Sequence, residues 1–597
     1  MVTLLLLMSC ILITDPAIDE KVGVGDGDAD TDADTDSDAD TDTAGMDADG
    51  DGVTVAQGDC DDTDPSVNPE AQEDCSTTAD DNCDGDTNDV DALGCAPFYA
   101  DADADAYGGE SSECLCAGTV GFPAVIGGDC DDSDAAVNPG AEEVCDDGID
   151  NDCGGASGAC GPTSESLSLA VKYSGEDSES LAGRTLAGAG DVNGDGYSDM
   201  VVSGEQHDGF VRGAAYLVLG GVSPASSSLS SAVAYLGAEN ANTGYAVGGA
   251  GDVNADGYDD ILVGTQYPQD SSYNEGAAWL ILGSASPSGG WLDTVTGYHG
   301  EQGEDFAGSS VAGAGDVNGD GFDDMLIGAV GEGATGAAYI VLGSPAPSSS
   351  YLSAAFKYSG VVAGDQVGSA VSGAGDVDGD GCDDFIVGAP QNDDAGSGAG
   401  AAYLVLGSRS LASTSVSTGL RYTGEAAFDY AGTSVAGSGD VDADGYADVL
   451  VGAYRNGDGA SYAGATYLLL GGASPSAGSL SAAVEYSGAA FNDATGWSVS
   501  GAGDVDGDGH DDVLIGAYMD ATTSGPFLVL GSAAPASASL STAVHYTGEN
   551  VGDMAGYAVA GTGDVDADGF DDLLIGAYGY PATAGEGAAY LVLGTGE

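Results

Sequence analysis

A nine-residue pattern, Asp-x-Asx-x-Asp-Gly-x-x-Asp, begins at Asp191, Asp252, Asp316, Asp376, Asp440, Asp504 and Asp564. The copies are almost evenly spaced, and a period of about 60 residues restricts the chain to propeller blades or a solenoid. Each period also carries four short apolar runs, which in the third are Val311 to Gly315, Met325 to Ala329, Gly336 to Gly343 and Ala355 to Gly360. Runs of this length bounded by Gly, Asp and Ser read as strands, and no segment sustains a helical period. Four strands per repeat make one blade. The array opens at Ala170 to Gly175 with the piece that elsewhere comes last, and closes at Gly587 to Gly594 with the piece that elsewhere comes third. The first strand therefore completes the last blade, which removes the open edges of a linear stack. The expected fold is all-β, a closed seven-bladed propeller over residues 167–597.

The loops themselves predict a chemistry. Acids at positions 1, 3 and 5 place oxygens inside one tight turn, Gly at position 6 permits the bend, position 7 offers its backbone carbonyl, and Asp at position 9 closes the shell. Such a set of hard oxygens selects calcium over softer metals. The expected ligands are Asp191, Asn193, Asp195, Tyr197 and Asp199 in the first loop, and Asp252, Asn254, Asp256, Tyr258 and Asp260 in the second. They are Asp316, Asn318, Asp320, Phe322 and Asp324 in the third, and Asp376, Asp378, Asp380, Cys382 and Asp384 in the fourth. The fifth has Asp440, Asp442, Asp444, Tyr446 and Asp448, and the sixth Asp504, Asp506, Asp508, His510 and Asp512. The seventh has Asp564, Asp566, Asp568, Phe570 and Asp572. About seven calcium ions are expected, bound more tightly where position 3 is Asp than where it is Asn. An EF-hand would need Glu at position 12, where the first loop has Val202. Position 8, often Asp, is Ser198 and Ala447 in two loops and is left out of the shell. Cys382 needs only its carbonyl, so its thiol is expected to be inert.

The array resembles the FG-GAP repeats of integrin alpha-subunit propellers, on Phe306-Ala307-Gly308-Ser309-Ser310-Val311 for the FG part and Val387-Gly388-Ala389-Pro390 for the GAP part. The resemblance implies a calcium loop between the first two strands of each blade and a role in adhesion or ligand binding. No inserted von Willebrand type domain is present, so the metal-dependent ligand site of some integrins does not carry over.

Charge narrows the partners. The 100 Asp and Glu against 8 Lys and Arg leave -92, which repels nucleic acid and anionic lipid and favours cations. Of the acids, 43 precede residue 161, and ten of the twelve cysteines lie between Cys60 and Cys160. An even, clustered set reads as disulfides of an oxidising compartment, with metal thiolates as the alternative. Two copies of one unit recur at a constant offset: Gly58-Asp59-Cys60-Asp61-Asp62 with Val67-Asn68-Pro69, and Gly128-Asp129-Cys130-Asp131-Asp132 with Val137-Asn138-Pro139. Alternating acids precede each, Asp47, Asp49 and Asp51 before one and Asp101, Asp103 and Asp105 before the other; these are further candidate metal ligands. With almost no apolar core, such repeats need cross-links and cations to fold. They resemble the MopE-type metal-binding motif of bacterial surface proteins and, more distantly, thrombospondin type 3 calcium repeats. The MopE type is linked with copper, yet all four His follow residue 206 and all three Trp follow residue 278, which leaves the module oxygen ligands that favour calcium. Cys114 and Cys116 are expected to enter two separate disulfides, without a pairing being deducible.

At the amino terminus Leu7-Met8-Ser9-Cys10 resembles a bacterial lipobox, with Cys10 the candidate lipid anchor and simple secretion the alternative. The expected order is a signal or lipobox segment with the start of the mature chain (1–24), a disordered Asp-rich linker (25–46), two cysteine-rich repeats (47–160), a linker (161–166) and the propeller. No nucleophile elbow, zinc helix or phosphate loop occurs, so the chain is read as not an enzyme. The expected function is an extracellular or bacterial cell-surface, calcium-binding protein that recognises a protein or glycan. The alternatives are an acidic surface coat without a specific partner and, behind that, a secreted carbohydrate-active enzyme. Loops between second and third strands, Thr265 to Glu275 and Tyr454 to Tyr462, vary most and are expected to carry specificity.

Overall fold

Each repeat folds into an antiparallel meander in the computed structural model. In the third blade Ala307–Gly315, Asp324–Ala329, Ala337–Val341 and Phe356–Ser359 pair in that order. The structure describes residues 47–595 apart from 89, 110, 142–150, 152, 154–160, 177–179, 205–211, 240, 268–273, 458, 520–524 and 582–584. Residues 1–135 and 136–597 form two compact units, a division that falls inside the second cysteine repeat. No α-helix occurs among the described residues, only short 3-10 turns.

The second strands are buried on both faces, as Asp324–Ala329 shows residue by residue, because neighbouring blades cover them from either side. The core accordingly lies between blades: Leu326 and Ile340 of the third pack with Phe385, Val387 and Tyr403 of the fourth. Among the described residues the propeller has seven sheets, six of five strands and one of four. The fifth strand, absent from the four-strand expectation, is a parallel two-residue piece on its way to the next blade's outer strand. In the third blade Thr414–Ser415 pairs with Phe356–Ser359 before the chain turns over the buried Val416 into Leu420–Thr423.

Closure takes the expected form. Val171–Ser174 pairs with Ala588–Val592 as the outer strand of the seventh blade. The expected linker 161–166 does more than link. Ser166 bridges Thr547 in parallel, and the Thr547 amide donates to the Glu165 carbonyl at 2.9 Å, so this stretch also supplies the fifth-strand pairing of the sixth blade. The ring seals at its centre through glycine. A Cβ on Gly373 would stand 2.8 Å from the Gly313 carbonyl, one on Gly561 2.5 Å from that of Gly501, and one on Gly188 2.7 Å from that of Gly561. Inner strands approach so closely that only hydrogen fits, which accounts for the glycine at this position.

The first unit holds little regular structure: Ala96–Tyr99 pairs antiparallel with Ser112–Leu115, and Tyr107–Gly108 parallel with Ile126–Gly127. Disulfides join Cys60 to Cys83, Cys75 to Cys116 and Cys95 to Cys114. Cys130 and Cys153, the counterparts of Cys60 and Cys83 in the second copy, are disulfide-bonded too. Cys114 and Cys116 thus enter separate bridges as expected. Cys10, the segments 1–24 and 25–46, Cys145, Cys160 and His207 lie outside the described residues.

Candidate metal centres

Every nine-residue pattern connects a blade's first strand to its second, so all the loops lie at one end of the propeller. The fourth runs from Val371–Gly375 to Asp384–Ala389. The position 1 carboxylate organises the turn from within. Asp376 Oδ1 accepts from the amides of Gly379 at 2.7 Å and Asp380 at 3.0 Å, and Oδ2 from Gly381 at 2.9 Å. Gly381 has φ +85°, and Gly196 and Gly569 at the same position have +92° and +98°, a backbone that side chains rarely adopt. Position 6 is therefore glycine for the reason the pattern implied.

Position 9 is the most buried acid. Asp384 is 0% exposed; its Oδ1 accepts from the Gly407 amide at 2.7 Å and Oδ2 from Val377 at 3.0 Å. Asp448 and Asp572 repeat the arrangement with Gly471 and Val441, and with Gly594 and Val565. The residue thus ties the loop to the end of the third strand while facing the other acids. Burial pushes this carboxyl up, to about 7 at Asp199, Asp260, Asp324, Asp384, Asp448 and Asp572 and to about 8 at Asp512.

The acids converge. Asp376, Asp378 and Asp384 offer oxygens all within 4.8 Å of one another, as do Asp440, Asp442 and Asp448. Some of these oxygens have no hydrogen-bond donor although buried: Asn254 Oδ1, Asp442 Oδ1, Asp504 Oδ1 and Asp566 Oδ1. Clustered buried oxygens without donors are costly unless a cation satisfies them, so the loops fit a divalent ion chemically. Bound there, it would supply charge neutralisation and a rigid turn. The sulfur of Cys382, at position 7 of the fourth loop, is buried and unbridged, with burial pushing its thiol up.

Position 8, set aside in the sequence, has a job between blades. Its carboxylate reaches the preceding loop: the Asp191 amide donates to Asp259 at 2.7 Å, Asp252 to Asp323 at 2.8 Å, Asp316 to Asp383 at 2.8 Å and Asp440 to Asp511 at 2.7 Å. The position 8 amide returns a bond to the same residue's carbonyl, as from Asp383 to Asp316 at 3.1 Å. Where the acid is missing the return bond remains, from Ala447 to Asp376 at 3.2 Å and from Ser198 to Asp564 at 3.0 Å. The loops form a linked circle. Their spacing signalled one site per blade, but only three dimensions show that position 8 belongs to the neighbouring blade's loop.

The first unit repeats this design in miniature. Asp101 accepts from the amides of Ala104 at 2.6 Å and Ala106 at 3.2 Å, much as Asp47 accepts from Gly50 and Gly52. Asp47, Asp49 and Asp51 cluster within 4.8 Å, and Asp103 and Asp105 do so with Asp129, while Asp101 and Asp103 do so with Asp132. Asp129 and Asp132 were not among the expected ligands. Their signal was the repeated Gly-Asp-Cys-Asp-Asp, whose first acid is buried in both copies, 3% exposed at Asp59 and 6% at Asp129. Buried oxygens of Asp49, Asp51, Asp59, Asp103, Asp105 and Asp129 accept no hydrogen bond.

Among known proteins, residues 59–89 and 129–157 match the family described as "Putative metal-binding motif", of the Cu-binding MopE type. Residues 243–281, 307–341, 367–405, 431–469, 495–530 and 555–592 match the FG-GAP repeat. Integrin alpha-6 of Gallus gallus is 29% identical over 176 residues, 28% of this chain and 15% of that protein. Integrin alpha-PS3 of Drosophila melanogaster is 32% identical over 24% of this chain and 13% of its own, and integrin alpha pat-2 of Caenorhabditis briggsae 32% identical over 34% and 17%. The matches thus span less than a fifth of these relatives' length. Among solved structures, AofleA from Arthrobotrys oligospora aligns at 10% identity over 68% of this chain and 83% of its own, with a TM-score of 0.29, a likeness too low to bear on the fold.

Proposed function

For a chain that carries FG-GAP repeats in a seven-bladed propeller and MopE-type motifs in a disulfide-linked module, we infer that it is an extracellular or cell-surface calcium-binding protein whose calcium-stiffened propeller recognises a partner. One observation carries this reading: buried oxygens without donors, on Asn254, Asp442, Asp504 and Asp566, recur at the same end of the second, fifth, sixth and seventh blades. Oxygen-only donor sets favour calcium, and affinities near the millimolar range of extracellular modules would keep the sites filled outside a cell. The disulfides point to the same oxidising compartment. The integrin alpha relatives support a role in adhesion. Cys10 is proposed as a lipid anchor, and the protein as non-enzymatic.

The charge of -92 favours a second reading, an acidic coat that gathers cations without a specific partner. Capture of a partner by the calcium-loaded chain separates the two. A defined partner, retained in about 0.5 M salt and released by a calcium chelator, supports recognition; capture that merely tracks ionic strength supports the coat.

A further inference from the structure

The propeller's central channel opens, at the end away from the acidic loops, into a cavity of about 330 Å3. Its mouth is formed by the residues that start each inner strand, and they change character with depth. Arg184, Tyr245, Trp497 and Tyr557 share the rim with the hydroxyl residues Ser309, Ser369 and Thr433, and aliphatic residues such as Val371 lie two residues further in. The aromatic side of the rim extends outward. Trp497 packs on Tyr454, Tyr518 and Tyr557 with ring centres 5.1, 5.3 and 5.5 Å apart, Tyr454 stacks on Tyr430 at 5.8 Å, and Tyr557 meets Tyr578 at 4.5 Å. All six rings are half-buried. Two of the chain's 8 basic residues sit on this surface, Arg455 over Tyr430 and Tyr454 at 5.2 Å from each ring centre and Arg184 over Tyr245 at 5.9 Å.

We propose that this mouth is a binding site for a neutral saccharide, with a pyranose ring lying on the Trp497 and Tyr557 platform. The inference rests on the recognition reading and names its ligand class. A cavity of this size takes a small ligand or chain end and excludes a folded surface. Aromatic faces carry negative quadrupole charge and attract the slightly positive C–H face of a sugar, while the rim hydroxyls and the forked guanidinium donors meet its hydroxyl edge. Charge decides among ligands. The guanidinium groups already lie on the rings and disfavour a cationic guest, and the net -92 repels sulfated or uronic chains.

The test uses the full chain with calcium. D-galactose, D-mannose, L-fucose and N-acetyl-D-glucosamine, with their β-linked disaccharides, are titrated while tryptophan fluorescence is followed. A saturable change with at least one sugar is expected, abolished in Trp497→Phe, and about ten-fold weaker affinity in Tyr557→Ala and Arg455→Ala by calorimetry, with the far-UV spectrum retained. Trp291→Phe, on the outer edge of the first blade's sheet, leaves the titration unchanged. Tyr430→Ala replaces Tyr557→Ala if the latter fails to fold. No response to any of these sugars at about 50 mM, far above the concentrations at which a built site saturates, overturns the proposal, as does an affinity unchanged in both Tyr557→Ala and Arg455→Ala. A protein partner captured equally by wild type and rim variants also overturns it, while leaving the recognition reading intact.

Discussion

At the scale of single residues, the propeller uses acid in three chemically different ways. Loop acids face one another around a candidate cation site, position 8 acids hold the neighbouring loop, and a third kind sits at the opposite end. Asp305 is of this kind: 3% exposed, it accepts the Gln302 amide at 2.6 Å beside Glu332 and Lys357, and Lys357 also reaches Glu301 at 3.4 Å. Burial, reinforced by hydrogen bonding to Glu332, pushes its carboxyl up to about 7. Since this exceeds the ordinary value of 3.8, the folded state holds its proton longer than the unfolded one, and stability falls as pH rises from about 4 to about 7. Asp305→Asn keeps the acceptor oxygen and is expected to raise stability on the order of 1 kcal/mol at pH 8, with no gain at pH 3.5, measured by urea melts at both. A gain that persists at pH 3.5 would contradict the assignment. The acid was visible in the sequence, but its partners Glu332 and Lys357, which arrive from later strands and loops of the blade, were not.

At the scale of elements, the nine-residue loop was legible almost completely, because its hydrogen bonds are local and its glycine has one conformational reason. Apart from the closure of the ring, what escaped were the contacts that cross blades: the fifth strand, the position 8 contact and the pairing of Ser164 to Ser166, each joining positions in different repeats. The two acid roles within one loop predict different behaviour. Asp571→Ala removes the acceptor of the Asp504 amide, 3.0 Å away, and should cost about 1–2 kcal/mol with or without calcium. Asp566→Ala removes one oxygen without a donor together with the acceptor of the Asp568 amide, so its cost should be clearly larger with calcium present than in the metal-free protein, where reduced repulsion offsets the lost bond. Thermal melts of both variants with and without a chelator make the comparison. In the same spirit, Asn318→Asp adds the charge that the last four loops carry and should tighten that one site, read by calcium titration.

At the scale of the whole molecule, the deficit of apolar side chains in the first unit and the excess of charge in both are answered differently. The first relies on disulfides, so reduction should unfold it while the propeller, whose Cys382 is unbridged, keeps its transition. The propeller relies on closure and, on the reading proposed above, on cations. Its seal is the strand Val171–Ser174, hydrogen-bonded to Ala588–Val592 at the far end of the array. Removing residues 1–175 exposes that edge and should leave an aggregating chain without a cooperative melt. The charge of -92 divides accordingly: acids assembled into the loops of a rigid ring, and 43 that precede residue 161.

The claim on which these expectations converge is that the loops hold calcium. Calorimetric titration of metal-stripped protein, with element analysis of the protein as purified, measures it directly. About seven ions of millimolar or better affinity are predicted for the propeller, with a melting temperature that falls sharply on chelation. Fewer than about four such sites, or a melt indifferent to chelator, would contradict the account.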